Sequence, residues 1–166
     1  RMTPDGALYT ADFVKSAGLE GRIFGANMGL VTTPVTTAAT TAITNTIAHA
    51  WVRVPTGTII IPLYANIVIE SSGATTQGEA SILIAQNDIG ASGAVADAGP
   101  ISLNTAALLT SNCLPRQLAT ASTAPTNPIE LKRFSFAASA VNQVLEWNVA
   151  SLAFNPVIRG AGTWAI

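Results

Sequence analysis

His49 is the one histidine of this 166-residue chain, and it sets the ceiling on acid–base chemistry. A Ser–His–acid site needs a base within hydrogen-bond reach of its nucleophile, so His49 is the only conventional candidate. It lies in Ala48-His49-Ala50-Trp51, and no Gly-x-Ser-x-Gly elbow occurs anywhere. A satisfied or half-exposed strand histidine is the reading that fits. Imidazole metal sites draw on two or three histidines, which excludes a zinc-hydrolase or cupin-like centre. Asp88 and Asp97 flank a Gly-rich loop beside Asn87, but their spacing does not match the alternating oxygen ligands of a twelve-residue Ca²⁺ loop. Glu70 and Glu79 stand at the ends of an expected hairpin, where a carboxylate pair at the right separation would hydrolyse glycosides and where ordinary solvated acids also collect. Gly21, Gly25 and Gly29 recur every four residues without the lysine of a phosphate-binding loop. The single cysteine, Cys113, rules out an intrachain disulfide framework and reads as a buried apolar thiol. No catalytic residue, cofactor or metal is expected.

Aromatic and proline-rich positions offer a different chemistry, that of contact. Trp51 shares a strand face with His49 and Arg53, where it would serve as a core residue, an interface anchor or a sugar-stacking platform. As core residues, Trp51 and Trp147 would belong to opposing sheets. Trp164-Ala165-Ile166 follows Gly160-Ala161-Gly162 as an apolar tail that needs something to pack on. Residues 114–128 hold Pro115, Pro125 and Pro128 among Thr, Ser and Ala, which predicts a long exposed excursion of the kind that carries contacts. The interface candidates are therefore Trp51, Arg53, Pro115, Arg116, Pro125, Trp164 and Ile166.

The elements that would position these residues are mostly strands. Pro4 to Gly18 has helical spacing, with Thr3 or Asp5 to cap it and Gly18 to end it. From Gly21 onward Thr, Val and Ile dominate, the types that suit a pleated, half-buried surface. Residues 32–41, rich in Thr, are expected to be extended with Pro34 at an edge or bend. Residues 46–54 alternate, with Ala48, Ala50, Val52 and Val54 on one face and Ile47, His49, Trp51 and Arg53 on the other. Pro55-Thr56-Gly57 signals a turn, after which Leu63, Ala65, Ile67 and Ile69 form a core face opposite Tyr64, Asn66, Val68 and Glu70.

Residues 79–87 return as another alternating strand, expected to pair antiparallel with the one before. Asp88 to Pro100 reads as a loop, and Ser102 to Ser111 as a short helix capped by Ser102 or Asn104, or as a strand. Ile129 to Ala138 carries Phe134 and Phe136 on one face, and Gln143 to Val149 carries Leu145, Trp147 and Val149; residues 138–142 join them. Phe154 to Arg159 is a last strand. The expected class is all-β, a two-sheet antiparallel β-sandwich with a short N-terminal helix, divided into an arm at 1–20 and a sandwich domain at 21–166.

Eight Lys plus Arg stand against nine Asp plus Glu, a formal net charge of −1, and only 10% of residues are charged while 49% are hydrophobic. Average domains carry about 25% charged residues. With no basic cluster beyond Lys132-Arg133, the footprint of a nucleic-acid binder is missing. The uncharged stretches between Arg22 and Arg53 and between Asp97 and Arg116 are too rich in Thr, Ser, Asn, Gly and Pro to span a membrane as helices. Arg1-Met2-Thr3-Pro4-Asp5-Gly6 has neither a signal-peptide nor a transit-peptide pattern. A soluble monomer normally covers itself with charges of both signs, so an exterior this poor in them is open to association.

Arg53-Val54-Pro55-Thr56-Gly57-Thr58-Ile59-Ile60-Ile61-Pro62-Leu63, a hydrophobic strand entered through a Pro-x-Gly turn within a Thr- and Ala-rich chain, resembles the jelly-roll structural proteins of virus particles. Phage capsid, decoration and spike subunits share this texture. The resemblance implies a virion location, a non-enzymatic role, and partners that are copies of itself and other virion proteins, with closed symmetry such as a trimer. Without a basic arm it implies an outer or cementing position rather than genome contact. A carbohydrate-binding or adhesin β-sandwich, using Trp51 on a glycan, is the alternative.

Overall fold

The computed structural model describes residues 13–27, 47–71, 77–87, 95–96, 100–106, 109–120, 123–139, 141–151 and 156–165. They form one short helix and twelve strands, every pairing antiparallel. In chain order these are α1 (Phe13–Leu19), β1 (Phe24–Gly25), β2 (Ile47–Val54), β3 (Ile59–Ile60), β4 (Tyr64–Ser71), β5 (Gly78–Ala85), β6 (Val95–Ala96), β7 (Ile101–Ser102), β8 (Leu114–Thr120), β9 (Ile129–Phe136), β10 (Val141–Asn148), β11 (Ile158–Arg159) and β12 (Gly162–Ala165). A 3₁₀ turn, Val149–Ser151, follows β10, with Asn148 Oδ1 accepting from Ala150 N. No helix among the described residues is long and apolar enough to cross a membrane.

Helix α1 stops one residue later than Gly18, and the stop signal is Gly21. Gly21 has φ +71°, its N–H donates to Gly18 O, and Arg22 N–H donates to Ala17 O. That is the Schellman arrangement, which needs a residue in the left-handed region just past the helix. The expected residues 4–12 of this helix, and the Thr-rich segment 32–41, lie outside the described residues. The Asn104 side chain donates to Gly18 O and Leu19 O, and Ser102 Oγ to Gly21 O. The helix end is thus fastened to β7, which pairs with β1 through Phe24↔Ser102 and Gly25↔Ile101.

The expected helix from Ser102 is absent over residues 102–106. Ser102 is a buried strand residue, and the Asn104 side chain closes a local turn, its Oδ1 accepting from Ala106 N two residues on.

The largest sheet has the order β6-β8-β2-β12-β5-β9. Its register places Val52, Trp164 and Ile84 in one row across β2, β12 and β5, and Trp51, Ala165 and Leu83 in the next. Neighbouring residues on a strand point to opposite faces, so these two rows face opposite ways. The second sheet is a ribbon, β4 paired with β10 from Tyr64↔Asn148 to Ser71↔Val141. Ala65 and Trp147 of the ribbon pack with Ile82, Leu131, Ile84, Phe134 and Trp164 of the large sheet. The β3–β11 pair packs Ile60 and Ile158 with Val52, Val54, Ile84 and Trp164. Ribbon and pair therefore cover the same face of the large sheet.

Several expected connections are corrected by this topology. β4 and β5 are not a hairpin: β4 pairs with β10, and β5 with β12 and β9. They meet face to face through Ala65 and Ile82. Alternation fixes which side of each strand is apolar but not which strand lies beside it. For the same reason β9 and β10 are not partners, and the turn between them, with Ser139 and Asn142 at φ +53°, carries the chain from one sheet to the other.

The apolar phase of β9 also shifts midway, Leu131 being buried and then Phe134 and Phe136 half-buried. The register slips at Ile82/Leu83, a bulge that adds one residue on β9 and keeps both parts facing inward.

The excursion expected over 114–128 divides in two. Leu114–Thr120 is β8, paired with β2 on one side and β6 on the other, with Pro115 buried. β6 reaches only Arg116 and Gln117, so Pro115, which has no N–H to give, sits beyond its end. The loop around Pro125 is clasped by Asn87: its side chain donates to Ala124 O and accepts from Thr126 N, and its carbonyl accepts from Thr163 Oγ1. Val95–Ala96 is a strand inside the stretch expected as a loop.

Finally, the C-terminal tail is no tail. Gly162–Ala165 is β12, an interior strand between β2 and β5. Four residues, the first of them Gly162, are too few to show a period, so the sequence carries no strand signal there. The last expected strand, 154–159, is seen as Ile158–Arg159 only; residues 152–155 lie outside the described ones.

Candidate functional site

The residues that could do acid–base chemistry are dispersed. His49 lies on β2 with its Nδ1 buried and without a hydrogen-bond partner among the described residues. Burial holds its imidazole below the ordinary value, so the neutral ring is the native form. The unfolded chain then binds the proton more readily than the folded one. Stability falls as pH drops below about 6.5, the ordinary imidazole value, towards the lower native value. Thermal melts of the wild type and His49→Gln between pH 7.5 and pH 5 should diverge, the wild type losing more stability on acidification; parallel curves would contradict this assignment.

Glu79 does not face Glu70 across a hairpin. It lies within ion-pair distance of Arg133 at 3.4 Å, and Arg133 also reaches Glu130 at 2.7 Å, all three exposed on β5 and β9. Glu70 is on β4 in the other sheet, so the two-carboxylate arrangement for glycoside hydrolysis is not formed. Among the described residues no group of three or more His, Cys, Asp or Glu side chains comes together to hold a metal ion. Asp88 and Asp97 lie outside the described residues. Cys113 is buried with Val54 and Ile158, and burial pushes its thiol up, partly offset by the Ser111 hydroxyl. It is a packing residue rather than a nucleophile.

The interface candidates separate by burial. Trp51 is only 2% exposed and packs with Ala48, Ala165 and Leu83; Pro115 is also buried. These two give their surface to the chain itself. Arg53 is exposed on β2 opposite Leu114, which is also exposed, while Arg116 and Pro125 are half-buried. Trp164 is half-buried and packs on Trp147, ring centroids 6.1 Å apart and planes at 51°. Its partner is thus within the chain. Ile166 lies outside the described residues.

Sequence reasoning missed the surfaces that are most exposed and apolar. On the outer face of the ribbon Val68 and Val144 are register partners, 56% and 52% exposed. Tyr64 stands on that face too, its hydroxyl donating to Glu146 at 3.0 Å, a contact that raises its pKa. On the β3–β11 pair Ile59 and Val157 are exposed beside Arg159. Where the helix end meets β7, Phe13, Leu19, Ile101 and Leu103 are each more than 60% exposed. The signal was present for Val68: it interrupts an otherwise polar face, Tyr64, Asn66 and Glu70, in a strand whose other face already supplies the core.

Comparison with known proteins adds no constraint: no family model, curated protein or solved structure matches the chain.

Proposed function

We propose that this chain is a structural protein of a virus particle, a phage capsid or capsid-decorating (cement) subunit, acting through contacts with copies of itself and other virion proteins. One observation carries the reading: a chain with 10% charged residues leaves large apolar side chains exposed on strand faces turned away from its core. Single exposed apolar residues are ordinary, but neighbouring ones on a sheet face mark interaction surfaces. A homo-oligomer with closed symmetry, for which a trimer is the expected count, would cover them. The finer fold reading, a two-sheet sandwich of the jelly-roll kind, draws support from the ribbon and the β3–β11 pair lying on one face of the large sheet.

Under this proposal the protein has no enzymatic role, and contacts neither genome nor membrane directly. The carbohydrate-binding alternative relied on Trp51 as a stacking platform, and a ring 2% exposed offers no face to a sugar. The purified protein should form regular assemblies in negatively stained images and stay blank on a glycan array. Isolated single particles that bind a glycan would overturn the proposal in favour of the adhesin reading.

A further inference from the structure

Short length, charge, proline and bulges are the means by which strand edges are kept from adding a neighbour. Every open edge among the described residues has one of them, except β4. β1, β3, β6, β7 and β11 are two residues long, and the part of β8 that β6 leaves uncovered holds Pro115. β9, the far edge of the large sheet, carries Glu130, Lys132 and Arg133 and is bulged opposite Ile82 and Leu83. In the ribbon, β10 has Asn142 at φ +53°, well away from extended backbone. β4, by contrast, is eight residues, Tyr64–Ser71, without Pro, Gly, Lys or Arg. Its register with β10 does not slip, and its one charge, Glu70, stands near its end. No described strand pairs with its other side.

Burial also falls towards that edge. Leu145 of β10 is 5% exposed, whereas its register partner Ile67 is only half-buried, and so is Ile69 on the same inward side. On the outward side Val68 is exposed beside Val144. A row of free backbone N–H and C=O groups takes one kind of occupant, another extended strand.

We infer that the open edge of β4 pairs antiparallel with β4 of a second copy, about a two-fold axis through Val68, so that the two ribbons join as one four-stranded sheet, β10-β4-β4-β10. This pairing deepens the assembly reading above and rests on it. Under a two-fold, residue i meets j and j meets i. Val68 then meets Val68, which extends the Val144–Val68 pair into a row of four valines, and on the inward side Ile67 meets Ile69. An axis through Ile67 or through Ile69 would instead set Val68 against Asn66 or Glu70, so the apolar pattern selects the register. The acids stay apart. Glu70 of each copy lies opposite Asn66 of the other, and Glu146, held by the Tyr64 hydroxyl, is two strand spacings from that Glu70, about 10 Å. The contact is pairwise and adds to whatever closes a ring.

The test uses a residue that meets its own copy. By light scattering the wild type should have a mass that is an even multiple of 17.0 kDa. Val68→Lys and Val68→Glu, each setting like charges against each other on the axis, should at least halve that mass, and an equimolar mixture of the two should restore it. Val144→Lys, on the same face but one strand back from the edge, should leave it unchanged. Hydrogen exchange on the wild type needs no variant to fold: the amides of β4 should exchange slowly throughout, whereas β9, paired on one side only, should exchange about half of its amides fast.

A mass that ignores both Val68 variants, a mixture that fails to restore it, a Val144→Lys protein that loses as much, or a β4 that exchanges as β9 does overturns this pairing and leaves the assembly reading standing. A wild type that is a single copy overturns both. Circular dichroism identifies any variant whose loss of mass comes from misfolding, and hydrogen exchange on the wild type then decides the matter.

Discussion

Trp147→Ala is expected to destabilise the fold by about 3–5 kcal/mol, the range for removing a buried tryptophan or phenylalanine from a core. Trp147 is 2% exposed and stands where the two sheets meet, among Ala65, Ile82, Leu131 and Trp164. The ribbon is two strands wide, and Trp147 is its large buried side chain in the cluster shared with the large sheet, beside the much smaller Ala65. Trp147→Phe should cost clearly less. It leaves a smaller void, and it removes an indole N–H that is buried with no hydrogen-bond partner among the described residues. Urea unfolding followed by circular dichroism measures both, and near-equal losses for the two variants would show that the ring is not the joint between the sheets.

Gly160→Ala should be as damaging although it adds only a methyl group. A Cβ at position 160 would stand 1.7 Å from Pro55 O and 2.6 Å from Val54 O, both backbone atoms that cannot swing aside. The contact sits where β11 turns into β12 against the turn after β2. That turn has Thr58 N donating to Pro55 O and Gly57 at φ +83°, the left-handed position a type II turn demands. Gly160 N in turn donates to Thr58 O at 2.9 Å.

Moving either segment would disturb β12 between its two neighbours, and a cost of about 3 kcal/mol or more follows from overpacking at a site that cannot relax. Gly78→Ala is the matched control. There a Cβ would meet the Phe136 ring rather than backbone, a side chain able to turn away. A Gly160→Ala protein as stable as Gly78→Ala would contradict the account.

Local order was legible in the sequence, and sheet assignment was not. The alternation at 63–70 and 145–149 identified the inward side chains of the ribbon, and Pro55-Thr56-Gly57 identified the turn between β2 and β3, because both depend on neighbours a few residues away. Which strand lies beside which depends on partners far along the chain. Ile82 would look the same beside β4 as beside β9 and β12, so a hairpin was expected between β4 and β5, which lie in different sheets. Proline at 115 suggested a loop because the sequence does not show that the flanking strand is only two residues long. Gly162–Ala165 read as a tail because an interior strand of four residues, one of them glycine, has too little side chain to announce itself. At the candidate surface, the scarcity of charge pointed to contact, and of the three readings open to Trp51 its burial fits the core one. A large aromatic on an alternating strand is equally suited to a core, whereas Val68 on a polar face has no core to serve.

Light scattering of the purified chain over a hundred-fold range of concentration tests the central claim most directly. Exposed valines and isoleucines on a sparsely charged exterior predict a defined assembly of several 17.0 kDa copies that persists on dilution. A mass of one copy at every concentration, with no tendency to associate at the highest, would contradict it.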